Sequence, residues 1–215
     1  MKRPGAAYGT LLAVLLLVCP RGARRAELPP PPEYTAVIGV TPLAHFNRLD
    51  QSRHWGKTAD LSAISRYDNL LRAAADSIGW DWRLLSAVVY HESRFNNNAR
   101  SSKGARGLMQ VRSGRYTDEE LANPARNIAV GSSYLQKLQS RFSVEDPAEA
   151  VKFALAAYNV GESRLSALIS RADSLGLDSA RWDSVATLLP QGHHTVSYVS
   201  DVLDTYAYYS RQYPR

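Results

Sequence analysis

From about residue 60 to its end the chain is punctuated as a series of helices, and this limits its fold more than any other feature. Leu61, Ile64, Leu71 and Ala74 share a helical face that should end near Gly79. Asp81 stands where an N-cap belongs, the helix formers Arg83, Leu84, Leu85 and Ala87 follow, and no Gly or Pro interrupts before Asn96. Pro124 opens a helix over 125–138, with Ile128, Leu135 and Leu138 on one face. In Asp146-Pro147-Ala148-Glu149, Asp can cap, Pro can take the first helical position and Glu can bond back to the cap. That helix runs through Val151, Ala154, Leu155 and Tyr158 and stops at Gly161. Three more are expected over 163–172, 179–188 and 195–209, with Pro190 and Gly192 between the last two. Val199, Val202, Leu203 and Tyr206 face inward on the final one. Strand patterns are nearly absent and no repeat occurs, so the expected fold is all-α, a single compact domain over 61–215.

One position in this pattern carries chemistry. Trp82, Leu85 and Val89 form an apolar stripe, and the next residue on it, by the helical steps i, i+3, i+7 and i+10, is Glu92. Desolvation disfavours the charged form of a carboxylate there, so Glu92 is expected to hold a proton near neutrality, as a general acid must. Asn96, Asn97, Asn98, Ser101, Ser102, Gly104 and Gly107 then make a polar, Gly-marked loop able to wall a cleft. The same pattern also describes a buried carboxylate satisfied by an arginine or by backbone N–H groups.

The remainder of the chain sets the context. The 215 residues suffice for one domain with extensions. Five of the 26 basic residues, Lys2, Arg3, Arg21, Arg24 and Arg25, stand in the first 26 positions with no acid, leaving 21 against 20. The net charge of +6 therefore does not mark a nucleic-acid binder. The run from Leu11 to Val18 has the length of a signal-peptide core and is too short to span a membrane. Cys19 follows it, where an acylated lipoprotein cysteine would stand, with Leu16 suited to the cleavage box and Val18 and Pro20 not. Arg21, Arg24 and Arg25 disfavour translocation, so residues 1–26 are read as a lipoprotein signal first, an uncleaved anchor second and a secretion signal third. Pro29 to Pro32 form a stiff polyproline spacer, and Tyr34 to Val40 a short strand-like piece, within a linker over 27–60. One cysteine excludes an internal disulfide and a Cys-rich metal site. His193 and His194 are neighbours, which do not converge on one ion, and His45, His54 and His91 are scattered, so no metal is expected. No phosphate loop, dinucleotide turn or Ser-His-Asp set is present.

Three segments, Glu92-Ser93, the run from Gly104 to Gln110 (GARGLMQ) and the run from Ala156 to Gly161 (AAYNVG), resemble in order and spacing the signatures of the soluble-lytic-transglycosylase domain of glycoside hydrolase family 23. The flanking Ser65-Arg66-Tyr67-Asp68, Trp182-Asp183-Ser184-Val185 and Tyr198-Val199 are most similar to the membrane-bound F-type branch, and the resemblance covers roughly 62–210. That branch carries a large solute-binding-like domain, for which residues 27–60 leave no room, so the expectation is a catalytic part on a short tether. After Gln110 the chain departs from the family, with Val111-Arg112-Ser113-Gly114-Arg115 in place of a common Pro-x-Thr-Ala segment.

The resemblance implies a lysozyme-like fold and a cofactor-free lytic transglycosylase acting on peptidoglycan glycan strands as an exported, membrane-tethered monomer of the cell envelope, an outer-membrane lipoprotein if Cys19 is acylated. Glu92 would protonate the oxygen between N-acetylmuramic acid and N-acetylglucosamine, then deprotonate the muramoyl C6 hydroxyl as it attacks C1 and leaves a 1,6-anhydro end. One carboxylate suffices for that route, whereas ordinary glycosidases use two. Asp81 is better used as a cap, Asp118, Glu119 and Glu120 form an exposed acidic turn, and Glu162 is solvated. By resemblance Ser93 orients the substrate or the acid, the backbone and side chains of Gly107, Leu108, Met109 and Gln110 line the subsites, Tyr158 and Asn159 contact the acid or the adjoining sugar, and Tyr198 lies near the cleft. On the residues alone, Met109 and Tyr158 could equally be core, and Ser93 a helix-end hydrogen-bonder. A goose-type lysozyme-like muramidase and a non-catalytic peptidoglycan-binding module remain the alternatives.

Overall fold

The computed structural model describes residues 63–112 and 114–213, and the expectations on residues 1–62, Cys19 and the proline linker included, lie outside them. Eight helices and one two-residue β-ribbon make up the described chain: α1 (Asp68–Ile78), α2 (Trp82–Ser93), β1 (Ala105–Arg106), β2 (Val111–Arg112), α3 (Asp118–Ala122), α4 (Pro124–Arg141), α5 (Pro147–Val160), α6 (Glu162–Ser174), α7 (Trp182–Ala186) and α8 (His194–Gln212).

α2 is the central element. Every residue from Arg83 to Tyr90 is buried, and the helix lies against α1 on one side and α8 on the other. Its start is fixed by Asp81, whose carboxylate accepts from Arg83 N and from the Arg83 guanidinium. That buried guanidinium also donates to Tyr213 O at 2.9 Å, tying the end of α8 to the start of α2. Its finish comes three residues before the expected limit. Arg94 and Phe95 take left-handed φ of 53° and 58°, and Arg94 N–H closes on Tyr90 O. Two successive non-glycine residues in that region cost on the order of 1 kcal/mol each, and they turn the chain sharply just after Glu92.

Side chains set several other boundaries. α1 begins later than its apolar pattern because the Asp68 carboxylate takes Ile64 N, Ser65 N and Ser65 Oγ and folds 64–67 into a turn. The expected acidic turn at Asp118–Glu120 is a short helix, closed by a reciprocal capping box between Thr117 and Glu120. Asp146 caps α5 as expected, through Ala148 N, but Glu149 does not return to the cap. It is 4% exposed, accepts from Trp182 N at 2.7 Å and pairs with Lys152 at 2.8 Å. This bond explains why α7 starts at Trp182 and not at Ser179: Glu149 takes the backbone donor that begins the helix, while Asp178 holds Ala180 N in a turn. α6 and α8 both run slightly longer than expected. Glu162 is not simply solvated, since it pairs with Lys137 and Arg141.

α4 packs on α5 and α1, and α5 on α8, while the loop between α2 and α4 rests on α3 and α4. The sequence pattern gave no sign of the ribbon in that loop, where Ala105 pairs with Arg112 and Arg106 with Val111. At the end of α8 the Tyr208 ring lies tilted against Tyr209, and Tyr209 meets Tyr213 edge to face.

Candidate active site

Glu92 lies in the last turn of α2, half-buried, and its Oε1 accepts a 2.7 Å hydrogen bond from the Tyr198 hydroxyl of α8. Burial raises its pKa to about 7, against a smaller lowering by the Tyr198 bond. No second carboxyl among the described residues contributes to that shift. Tyr198 is buried, and burial together with the nearby Glu92 charge pushes its own pKa well up, so the phenol stays a donor. His194, one turn earlier in α8, stacks on the Tyr198 ring with centroids 6.3 Å apart.

Tyr158, at the end of α5, feels the Glu92 charge too, after burial as the larger cause. Its hydroxyl, however, donates to Met109 O at 2.7 Å, so the tyrosine bonded to the acid is Tyr198 and not Tyr158. Asn159 likewise does not reach the acid: its Oδ1 accepts from Thr195 Oγ1 at 2.7 Å and its Nδ2 lies 3.5 Å from His194 Nδ1. It ties the end of α5 to the start of α8, the helix that carries Tyr198.

The loop over 107–110 contributes backbone. Leu108 and Met109 have no exposed side-chain surface and belong to the core, which corrects the expectation that their side chains line subsites. Gly107 has φ 74°, and a Cβ there would overlap the Asn127 side chain. Gln110, at φ 47°, turns its amide inward, with Nε2 donating to Gly107 O at 3.0 Å and Ala99 O at 3.2 Å. At Gly131 a Cβ would stand 2.6 Å from Met109 Sδ, so α4 needs a glycine there to admit that side chain. Ser93 Oγ donates to Val89 O within its own helix, as a helix-end hydrogen-bonder does. His91 points away from Glu92 and meets Thr205 Oγ1 at 2.8 Å. No three His, Cys, Asp or Glu side chains among the described residues gather as metal ligands would.

Residues 69–178, just over half of the chain, match the family described as the Transglycosylase SLT domain. The chain belongs to that family. Membrane-bound lytic murein transglycosylase F of Desulfosudis oleivorans is 35% identical over 165 residues, which is 66% of this chain and 36% of that protein. The protein of the same name from Maricaulis maris is 34% identical over 160 residues, 65% of this chain and 35% of its own. The chain thus spans little more than a third of the length of these curated relatives. Among solved structures, an inactive glutamate-to-glutamine mutant of lytic transglycosylase Slt from Pseudomonas aeruginosa superposes with a TM-score of 0.58 at 25% identity, over 80% of this chain and 28% of that one. The 70 kDa soluble lytic transglycosylase of Escherichia coli gives 0.55 at 26%, over 67% and 24%. The mainly helical fold of the SLT domain family is therefore the fold of this chain.

One residue central to this SLT domain escaped the sequence reading. Asn127, fully buried in α4, accepts from Met109 N through Oδ1 at 2.9 Å and donates through Nδ2 to Arg106 O and Leu121 O, both at 3.0 Å. It fixes the 107–110 backbone from behind while Tyr158 fixes it from the front. The signal was available: Asn127 shares a stripe with Gly131, Leu135 and Leu138, the same kind of polar residue on an apolar face that singled out Glu92.

Proposed function

We propose that this chain is a peptidoglycan lytic transglycosylase in which Glu92 acts as general acid and then as general base. The observation that carries the reading is Glu92 itself, a desolvated carboxyl with a pKa of about 7, held by one phenol and perturbed by no other carboxyl among the described residues. Such a group is protonated often enough near neutrality to give up a proton, and a lone acid suits an intramolecular displacement better than a two-carboxylate hydrolysis.

With Tyr198 bonded to Oε1, Oε2 carries the proton. It passes to the glycosidic oxygen between N-acetylmuramic acid and N-acetylglucosamine as the C1–O bond breaks. The carboxylate so formed stabilises the positive charge at C1 and takes the proton of the muramoyl C6 hydroxyl, whose oxygen bonds to C1 and closes the 1,6-anhydro ring. Tyr198 holds the acid and keeps its pKa from rising further. The backbone at Gly107, Leu108, Met109 and Gln110 faces the glycan, braced by Asn127 and Tyr158, while Asn159 sets the end of α8 and Ser93 acts through the last turn of α2. No cofactor enters this scheme.

The relatives' names support this reading, since they are called lytic murein transglycosylases, and one solved neighbour is described as inactive after a glutamate-to-glutamine change. Their description as membrane-bound favours a place in the cell envelope, with residues 1–26 as signal or anchor, 27–60 as linker and 61–215 as catalytic domain. No helix among the described residues is long and apolar enough to cross a membrane. The test is mass spectrometry of fragments released from purified peptidoglycan by the chain and by Glu92→Gln. Products with 1,6-anhydro ends, absent with the variant, are expected. Reducing ends would identify a muramidase, and no products would point to a binding module or to a missing activator.

A further inference from the structure

Two adjacent histidines open α8, and the proposed chemistry uses neither. His193 has a structural task, since its Nδ1 accepts from Thr195 N at 3.2 Å and so caps the helix. His194 has no part in that cap. It is exposed, yet its ring lies over that of Tyr198, which is only 5% exposed, with the planes 29° apart and the centroids at 6.3 Å. The two residues stand four apart on one helical face, so their side chains meet as an offset-stacked pair.

The imidazole is also held at its edge. Asn159 Oδ1 takes the Thr195 hydroxyl, which turns Nδ2, a donor, toward His194 Nδ1 at 3.5 Å. A donor facing Nδ1 makes that nitrogen the acceptor, and the network thereby selects the tautomer protonated at Nε2. The end of α5 aims the ring, and the ring covers Tyr198.

That cover matters because of what Tyr198 holds. Its hydroxyl donates to Glu92 Oε1 at 2.7 Å and lowers the pKa of the acid. The hydroxyl sits at the far end of the ring from the backbone, where a turn of about 10° about χ1 carries it roughly 1 Å and weakens so short a bond. Burial keeps water from the ring without fixing its angle, whereas a stacked neighbour restrains it. No hydrogen bond joins His194 to Glu92 among the described residues, so its influence on the acid passes through the phenol.

We propose that His194 is a positioning residue for the acid: its ring, held by Asn159, braces Tyr198 and aims the phenol at Glu92 Oε1. The inference rests on the reading of Glu92 as the general acid. It gives the exposed first turn of α8 a task in the reaction, although His194 acts on no reacting atom itself.

The test is a double-mutant cycle on the full chain, with His194→Ala and Tyr198→Phe alone and together, read in two ways. In turnover of purified peptidoglycan, His194→Ala is expected to lower kcat roughly fivefold with KM unchanged, and to cost almost nothing once Tyr198→Phe is present, because the hydroxyl it aims is gone. His194→Phe, which keeps a ring, should retain most of the rate. His194→Gln, which keeps a hydrogen-bonding group without a ring, should behave as His194→Ala does. The second readout needs no turnover: NMR titration of the Glu92 carboxyl carbon, identified by its loss in Glu92→Gln. The Tyr198 bond lowers that pKa, so Tyr198→Phe should move the midpoint up, and should move it clearly less when His194→Ala is also present.

An unchanged kcat in His194→Ala would overturn the proposal, as would full activity of His194→Gln or equal effects of His194→Ala in the two backgrounds. A raised KM with kcat unchanged would overturn it too, since His194 would then hold the glycan directly. A coupled titration with no products from the unmutated chain supports the bracing of Tyr198 and refutes only the enzymatic reading. Anhydro products without coupling refute only the role of His194.

Discussion

Two glutamates taken out of water show how the same side chain becomes a strut in one place and a reagent in another. Glu149 is nearly inaccessible and fully partnered: one oxygen accepts from Trp182 N and the other meets Lys152, so its charge is matched by a cation and by a backbone dipole. Glu92 is less deeply buried, yet its one hydrogen-bond partner among the described residues is the Tyr198 phenol, a neutral donor. Depth of burial does not separate the two. The presence of a compensating cation does, because an unpaired carboxylate in a poorly hydrated place relieves its desolvation by keeping a proton.

The sharpest way to break this comparison is to neutralise each glutamate and read both activity and stability. Glu92→Gln is expected to lower turnover roughly a thousandfold, in line with loss of an acid-base group. The same change should stabilise the fold at high pH. The folded pKa of Glu92 is raised, so the wild type is favoured at low pH and loses that advantage as pH rises through about 7. Discounting for partial solvation, the variant should be more stable by about 1–2 kcal/mol at pH 8 and equal to wild type at pH 4, by denaturant titration. A variant that is less stable at pH 8 would mean that Glu92 is a structural group.

Glu149→Ala should do the reverse. Removal of a buried carboxylate from Lys152 and Trp182 N is expected to cost about 3 kcal/mol, seen as a fall in Tm, with kcat of the folded fraction little changed. If kcat collapses while Tm holds, the two glutamates are not the opposites described above.

Tyr198→Phe tests the finer point, that a neutral donor tunes the acid. Loss of a hydrogen bond to a charged group predicts roughly a tenfold to hundredfold drop in kcat. The direction of the pH profile is more diagnostic. Activity needs protonated Glu92, so kcat/KM of the wild type should fall as pH rises above about 7. The Tyr198 bond lowers that pKa, so without it the alkaline limb should move to higher pH. A limb that stays in place would show that the phenol does not act on the acid.

Most of the fold was legible because its helices carry their own start and stop signals. Asp81, Pro124, Asp146-Pro147 and Gly161 do in the structure what their chemistry predicts. Two expectations missed for different reasons: the distant Glu149 side chain moved the start of α7 by taking Trp182 N, and a local left-handed turn at Arg94-Phe95 ended α2 early. The candidate acid was legible for the same local reason, an acid on an apolar stripe, and resemblance to a family then selected one of the two meanings of that pattern.

What the sequence by itself determined is therefore what neighbours three or four residues apart can decide: the helices, their caps, and the burial of Glu92. The tertiary structure alone decided which groups meet. Tyr198 is 106 residues from Glu92 and Asn127 is 18 from Met109, and no periodicity encodes either approach. Tyr158 and Tyr198 look alike as sequence, two aromatic residues on helical faces. Only the packing of α8 against α2 gives one phenol the acid, and only the turn at 107–110 gives the other a carbonyl.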